Sequence, residues 1–301
     1  MARVRIPKNN VGVKDRGEDT WLVFVLPLDW ISGINIFING GISVAEIFSL
    51  FPHVMKTPKN TSGLTTSFQG HRSGQDMAGE RITMNKVSVI VMTYRRLSNL
   101  ERILQAWLAQ TPDVWLVDSS SEFTTELPIH HVRFSPDPGS RVWHATALLT
   151  EGDFVVKACD DILPKPDFLD DLIKGWQQVK GGIVGIYGRK FLGPGYYKNT
   201  KPVIANRISS PQKVGFIGNI TLTPRQYLAF DLKGCLTPLE DIFWHMKAFP
   251  GVPKWVIPTR RYTNLPESND KNCLFHNSEA RKVREKFYGE YYLKNYSGEQ
   301  E

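Results

Sequence analysis

Three short runs of apolar, largely β-branched residues, VSVIVM (Val87 to Met92), VWLV (Val114 to Val117) and FVVKA (Phe154 to Ala158), constrain this chain more than any other feature. Continuous apolar runs of that length suit strands covered on both faces, as in a parallel sheet, better than strands with one face in water. Between them the period changes. After Ser98, a possible N-cap, Leu100, Ile103, Leu104, Trp107 and Leu108 share one face of a helix. A weaker strand, Val132 to Phe134, and a helix from about Arg141 to Leu149 precede the third run. This alternation predicts an α/β fold with a mostly parallel central sheet flanked by helices. Open sheets of that class bind ligands beyond the carboxyl ends of their strands. Thr93 to Arg96, Asp118 to Ser121, and Asp160 with Asp161 all fall at such ends, so the pattern predicts one shared crevice.

The third run closes on two adjacent carboxylates, Asp160 and Asp161. Side-by-side carboxylates repel unless a cation or a set of donors compensates them. One reading is a nucleoside diphosphate pocket. Thr93, Tyr94 and Arg95 or Arg96 meet phosphate, Asp118 accepts hydrogen bonds from a base or ribose, and the aspartates hold Mg²⁺ or Mn²⁺, which favour carboxylate oxygen. The other reading leaves the pair in water beside the positive end of a helix starting near Pro166.

The 301 residues are 41% hydrophobic, enough for one large core or two modest ones. A net charge of +7 permits anionic partners, but it is scattered. No convincing nucleic-acid motif or zinc-finger spacing accompanies it. Three widely separated cysteines, Cys159, Cys235 and Cys273, argue against a disulfide framework and for a reducing compartment.

Trp21 to Phe51 is long enough to suggest a membrane anchor, yet Asp29, Pro27, Gly33, Gly40 and Gly41 interrupt it. A strand (Trp21 to Leu26), a loop and a short helix (Val44 to Leu50) is the preferred reading, with Lys56 to Thr83 as linker. Residues 1–83 are therefore expected to form an N-terminal extension, and residues 84–297 the main domain. The expected setting is cytoplasmic, with anchoring through residues 21–51 as the alternative.

VSVIVMTYRR, VWLVDSSS and GSRVWHATALLTEGDFVVKACDDI together resemble the nucleotide-binding half of GT-A fold glycosyltransferases. GGIVGIYGRKF, VGFIGNITLTPRQYL and LEDIFWHMKAF are similar to their exostosin-like branch, so the resemblance runs from Lys86 to about Tyr296. It implies a metal-dependent transferase that moves a sugar, an N-acetylhexosamine, from a UDP-sugar donor to a glycan or other hydroxyl acceptor. The resemblance implies retention of configuration, while an acidic Glu-Asp pair also serves inverting relatives as general base, so both outcomes stay open. On the matching positions, Asp161 would bind Mn²⁺ (or Mg²⁺), Asp160 would lie near the ribose, and Arg141 would steady the nucleotide. Asn219 and Ile220 stand where the family has an alanine pair. Glu240 and Asp241 match an acidic pair at the reacting sugar, Arg281 or Arg284 would meet the leaving diphosphate, and His276 is a metal ligand or a surface histidine. Cys159 departs from the acidic pattern, and a thiol suits Mn²⁺ poorly. Glu240 and Asp241 also fit plain helix-start acidity. A nucleotidyltransferase of related fold and a non-catalytic nucleotide-sugar-binding module are the alternatives. The first would normally carry a Gly-rich loop after Met92, and none is there.

Overall fold

The structure, a computed structural model, describes residues 11–16, 19–25, 35–39, 87–94, 96–120, 122–135, 139, 142–195, 198–228, 240–248, 251–266 and 278–296. The predicted helix at Val44 to Leu50 and the linker at Lys56 to Thr83 lie outside these residues.

Strands β1 (Val11–Arg16), β2 (Asp19–Val25) and β3 (Asn35–Asn39) form an antiparallel meander. The alternating part follows: β4 (Val87–Thr93), helix α1 (Leu100–Leu108), β5 (Val114–Asp118), β6 (His130–Ser135), helix α2 (Val142–Leu149) and β7 (Phe154–Cys159). Then come β8 (Ile162–Pro164), helix α3 (Phe168–Gln178), β9 (Ile183–Phe191), β10 (Thr200–Ile204), β11 (Gln212–Lys213) and β12 (Phe216–Pro224). A short helix α4 (Glu240–Phe243) widens into a π-helical turn, Trp244–Ala248, and β13 (Lys254–Val256), β14 (Tyr262–Asn264) and helix α5 (Ser278–Tyr296) complete the described chain.

The sheet is mixed, in the order β1-β2-β3-β6-β5-β4-β7-β12-β9-β13-β11, with β10 on β9 and a separate β14-β8 ribbon. Its four middle strands, β6, β5, β4 and β7, are parallel, and the flanks are largely antiparallel. The parallel strands read as continuous apolar runs because both of their faces are covered. Val87, Val89, Ile90, Val91, Leu116 and Val156 have no solvent exposure. Helix α1 brings its predicted face, Leu100, Ile103, Leu104 and Trp107, into this core.

One boundary differs from expectation. The residue before α1 is Asn99, not Ser98, and it makes no side-chain cap bond; the Leu100 N–H donates to the Leu97 carbonyl at 3.1 Å and the Ile103 N–H to the Asn99 carbonyl at 3.0 Å. Each of the four parallel strands runs one to three residues beyond its apolar stretch, because a ladder bond does not depend on side-chain polarity. The N-terminal segment also does more than precede the main domain. Residues Asn35 to Asn39 pair with His131 to Ser135, so β3 covers the edge of β6.

On the other flank, Gly185 lets β9 approach a bulge in β12 between Gly218 and Thr221. A Cβ there would stand 2.4 Å from Ile217 Cγ2 and 2.6 Å from the Ile220 carbonyl oxygen. The bulge throws Asn219 into a left-handed conformation, φ 59°, which asparagine tolerates better than most residues.

Large aromatic residues pack throughout the core. Trp143 and Trp244 meet edge to face at 5.0 Å, Trp176 packs on Phe154, and Tyr288 is buried with its hydroxyl donating to the Gly193 carbonyl at 2.9 Å. Two buried histidines join the tryptophans, His144 against Trp143 at 3.9 Å and His245 against Trp244 at 4.5 Å. Lys157 reaches over the Trp143 ring at 5.3 Å. Burial first, then the positive charges of Lys157 and Lys254, hold both imidazoles well below their usual 6.5.

Both histidines are neutral in the fold but bind protons in the unfolded chain below about pH 6.5, so their contribution to stability is complete above that pH and falls as acid is added. The limiting slope is about 1.4 kcal/mol per pH unit for each. Asp160, raised to about 6, works in the opposite sense between its unfolded value of 3.8 and about 6, but it is one group against two. Denaturant titrations at a series of pH values are expected to show stability dropping below about pH 6.5, and a flatter profile in the His144→Gln/His245→Gln double variant. An unchanged slope in that variant would remove the histidines as the cause.

Candidate functional site

The carboxyl ends of β5, β4 and β7 lie side by side, because β4 pairs in parallel with both neighbours and Thr93 stands level with Asp118. Main-chain and side-chain bonds join the three ends. The Ser119 N–H donates to the Thr93 carbonyl at 3.2 Å, and the Thr93 hydroxyl donates to Asp160 Oδ2 at 2.9 Å.

Asp160 and Asp161 are compensated by an arginine. Arg96 Nη1 donates to Asp161 Oδ2 at 2.9 Å while its Nη2 contacts Asp160 Oδ1, so one guanidinium bridges the two carboxylates. The Asp160 side chain is 1% exposed and that of Asp161 15%. Burial pushes Asp160 up to about 6, with Arg96, the Thr93 hydroxyl and the Tyr94 N–H pulling it down and Asp161 pushing it up. Burial opposes the charge on Arg96, yet the two carboxylates outweigh it and raise the guanidinium above its usual value. At Cys159, burial and then Asp161 drive the thiol upward, so it stays protonated.

Asp118 has no solvent exposure, and its own loop takes up its oxygens. Oδ1 accepts from the Ser120 N–H at 3.0 Å and the Ser120 hydroxyl at 2.7 Å, while Oδ2 accepts from the Phe123 N–H at 3.1 Å and faces His131 Nε2 at 3.6 Å. Burial alone would raise this carboxyl; those donors win and bring it down to about 2. Asp118 therefore organises the loop after β5.

Beside the aspartates, β12 runs antiparallel to β7, so its first residues lie beyond the carboxyl end of β7. The bulge puts exposed Asn219 there. Phe216 at the start of β12 packs with Ile242, Met246, Tyr288 and Tyr292, which fastens α4 and α5 to the same side of the sheet. Asp241, 8% exposed, sits at that junction. Its Oδ1 accepts from the Ile242 N–H at 2.8 Å and from Arg284 Nη2 at 2.9 Å. Arg281 is exposed on α5, and Tyr94 is 37% exposed just after β4.

The fold thus brings Thr93, Tyr94, Asp118, Asp160, Asp161 and Asn219 to one end of the sheet and sets Asp241 on the same side. Arg95, Arg141 and His276 lie outside the described residues, and Glu240 is described only in its backbone, as the first residue of α4. Sequence reasoning missed the carboxylate role of Arg96, although a basic residue three places after a strand end, facing paired acids on the neighbouring strand, was a usable signal. It also missed His131, for which a pairing partner on β5 has no local signature.

As a metal centre the donor set is a poor fit. Asp160 has one oxygen on Arg96 and the other on Thr93, Asp161 has one on Arg96, and the neighbouring thiol is neutral. Among the described residues no three His, Cys, Asp or Glu side chains come together in a way that could hold a metal ion. No described helix is long and apolar enough to cross a membrane.

Neither a known protein-family model nor a curated protein matches the chain.

Asp118→Asn exchanges two acceptor oxygens for one acceptor and one donor that faces the Phe123 N–H or Ser120, and it is expected to cost about 1–3 kcal/mol of stability. Chemical denaturation checks this. Stability within about 0.5 kcal/mol of the parent, the usual range of an innocuous surface change, would show that the loop does not need the carboxylate.

Proposed function

We propose that the chain is a glycosyltransferase of GT-A type, taking a sugar from a UDP-sugar donor to a hydroxyl acceptor such as a glycan. The observation that carries this reading is the tied edge of three neighbouring parallel strands, where Thr93, Asp118 and Asp160 come together at the carboxyl ends. Ligands of open α/β sheets sit at such edges. Exposed Tyr94 offers a ring on which the base can stack. Asn219, exposed at the bulge, selects among sugars in this proposal, favouring an N-acetylhexosamine.

In the transfer, Arg281 on α5 takes up the developing charge of the diphosphate, aided by main-chain N–H groups, as fixed cations and dipoles do in low-dielectric sites. Asp241 acts at the sugar, with Glu240 beside it on α4. Arg284, bonded to Asp241 Oδ1, fixes the direction of that carboxylate, which is a condition for a positioned base or nucleophile. No step is assigned to Mn²⁺ or Mg²⁺, because Arg96 stands at the carboxylates. A reducing, cytoplasmic setting suits Cys159, a free thiol.

The second reading, a nucleotide-sugar-binding module without catalysis, draws on the same Asp241 geometry: a carboxylate already satisfied by Arg284 and the Ile242 N–H can be structural. UDP-sugar hydrolysis and UDP calorimetry separate the two. The transferase reading expects Asp241→Asn to keep UDP affinity within a few-fold while turnover falls by on the order of 10²-fold or more. Retention of most activity in that variant would leave Asp241 a structural group, and UDP binding without turnover in the parent would favour the module.

A further inference from the structure

We infer that Arg96 occupies the place at the Asp160–Asp161 pair that a divalent cation would take, so that these carboxylates bind no Mn²⁺ or Mg²⁺ while the guanidinium is there. The geometry is that of a bridging cation. Nη1 serves Asp161 Oδ2 at 2.9 Å, Nη2 serves Asp160 Oδ1, and the Arg96 side chain is only 16% exposed. The remaining oxygen of Asp160 takes the Thr93 hydroxyl at 2.9 Å, and the main-chain carbonyl of Asp161 accepts the Leu265 N–H at 2.8 Å.

A hard cation entering here would have to displace two charge-assisted bonds and one hydroxyl. It would then find Asp161 as its main accessible ligand, since Asp160 is almost wholly buried. Mg²⁺ and Mn²⁺ need several oxygen ligands in near-octahedral array and keep some of their water. A guanidinium needs no such shell, and its planar fork suits two carboxylates at once. One guanidinium thus reaches both carboxylates, where a metal would reach mainly Asp161.

A second consequence rests on the transferase reading: UDP affinity is indifferent to chelator. The test titrates MnCl₂ alone into the full chain near neutral pH by calorimetry, with Mn²⁺ electron paramagnetic resonance as a direct count of bound ion. The parent is expected to show no saturable binding below about 1 mM, and Arg96→Gln at least about tenfold tighter binding, a change of about 1.4 kcal/mol. Mn²⁺ binding by the parent below about 0.1 mM that Asp161→Asn abolishes would overturn the inference. So would a folded Arg96→Gln chain that binds no better than the parent. If Arg96→Gln does not fold, Arg96→Lys replaces it; a single ammonium cannot bridge both carboxylates, so the gain in Mn²⁺ binding is expected there too. In the UDP arm, equal affinity with EDTA and with Mn²⁺ supports the inference, and a tenfold gain on adding Mn²⁺ to the parent contradicts it. Failure of UDP to bind in either arm counts against the proposed function alone, while the Mn²⁺ titration still decides the role of Arg96.

Discussion

Arg96 resolves the electrostatic conflict at the centre of this structure. Strand β7 is covered on both faces and ends in two carboxylates, one of them almost wholly buried. An unpaired buried ion costs several kcal/mol, and removing one partner of a buried pair costs about 3–5 kcal/mol, even though the intact pair contributes little net stability. The guanidinium therefore matters less for what it adds than for what its loss would expose. Because Arg96 follows β4 and the aspartates follow β7, the pair also ties the ends of two neighbouring strands, with the Thr93 hydroxyl alongside.

The same logic recurs at the other strand ends. Asp118 is buried and stays ionised because donors from one short loop converge on it. Asp241 is held by Arg284 where α4 and α5 meet over Phe216. Asp118, Asp160, Asp161 and Asp241 are thus each met by donors from within the protein. Charges fixed this way are preorganised, and preorganised groups are useful to a bound anion or a reacting sugar because little rearrangement accompanies binding.

The antiparallel flanks serve a different need. On one side the β3 strand covers the edge of β6, and on the other β12 and β9 carry the sheet past β7. The β12 bulge is the place where regular pairing gives way beside the carboxyl end of β7. It depends on the lack of a side chain at Gly185 and puts a polar residue, Asn219, where an unbroken ladder would have kept its backbone paired.

Local sequence determined the parallel core: apolar, β-branched runs at Val87, Val114 and Phe154, alternating with helical periodicity, specify strands covered on both faces, and their polar ends mark the edge where those strands finish. That much follows because strand and helix periods and two-sided burial are written within a few residues. Which strands flank that core was not legible, since the β3–β6 and β12–β7 pairings join segments far apart in the chain. Nor was the partner of the aspartates. Sequence placed Arg96 near phosphate and a metal near Asp161, and only the packing of β4 beside β7 brought the guanidinium within 2.9 Å of the carboxylate. Charge compensation acts through space over a few ångströms, so the tertiary structure decided which cation meets which acid.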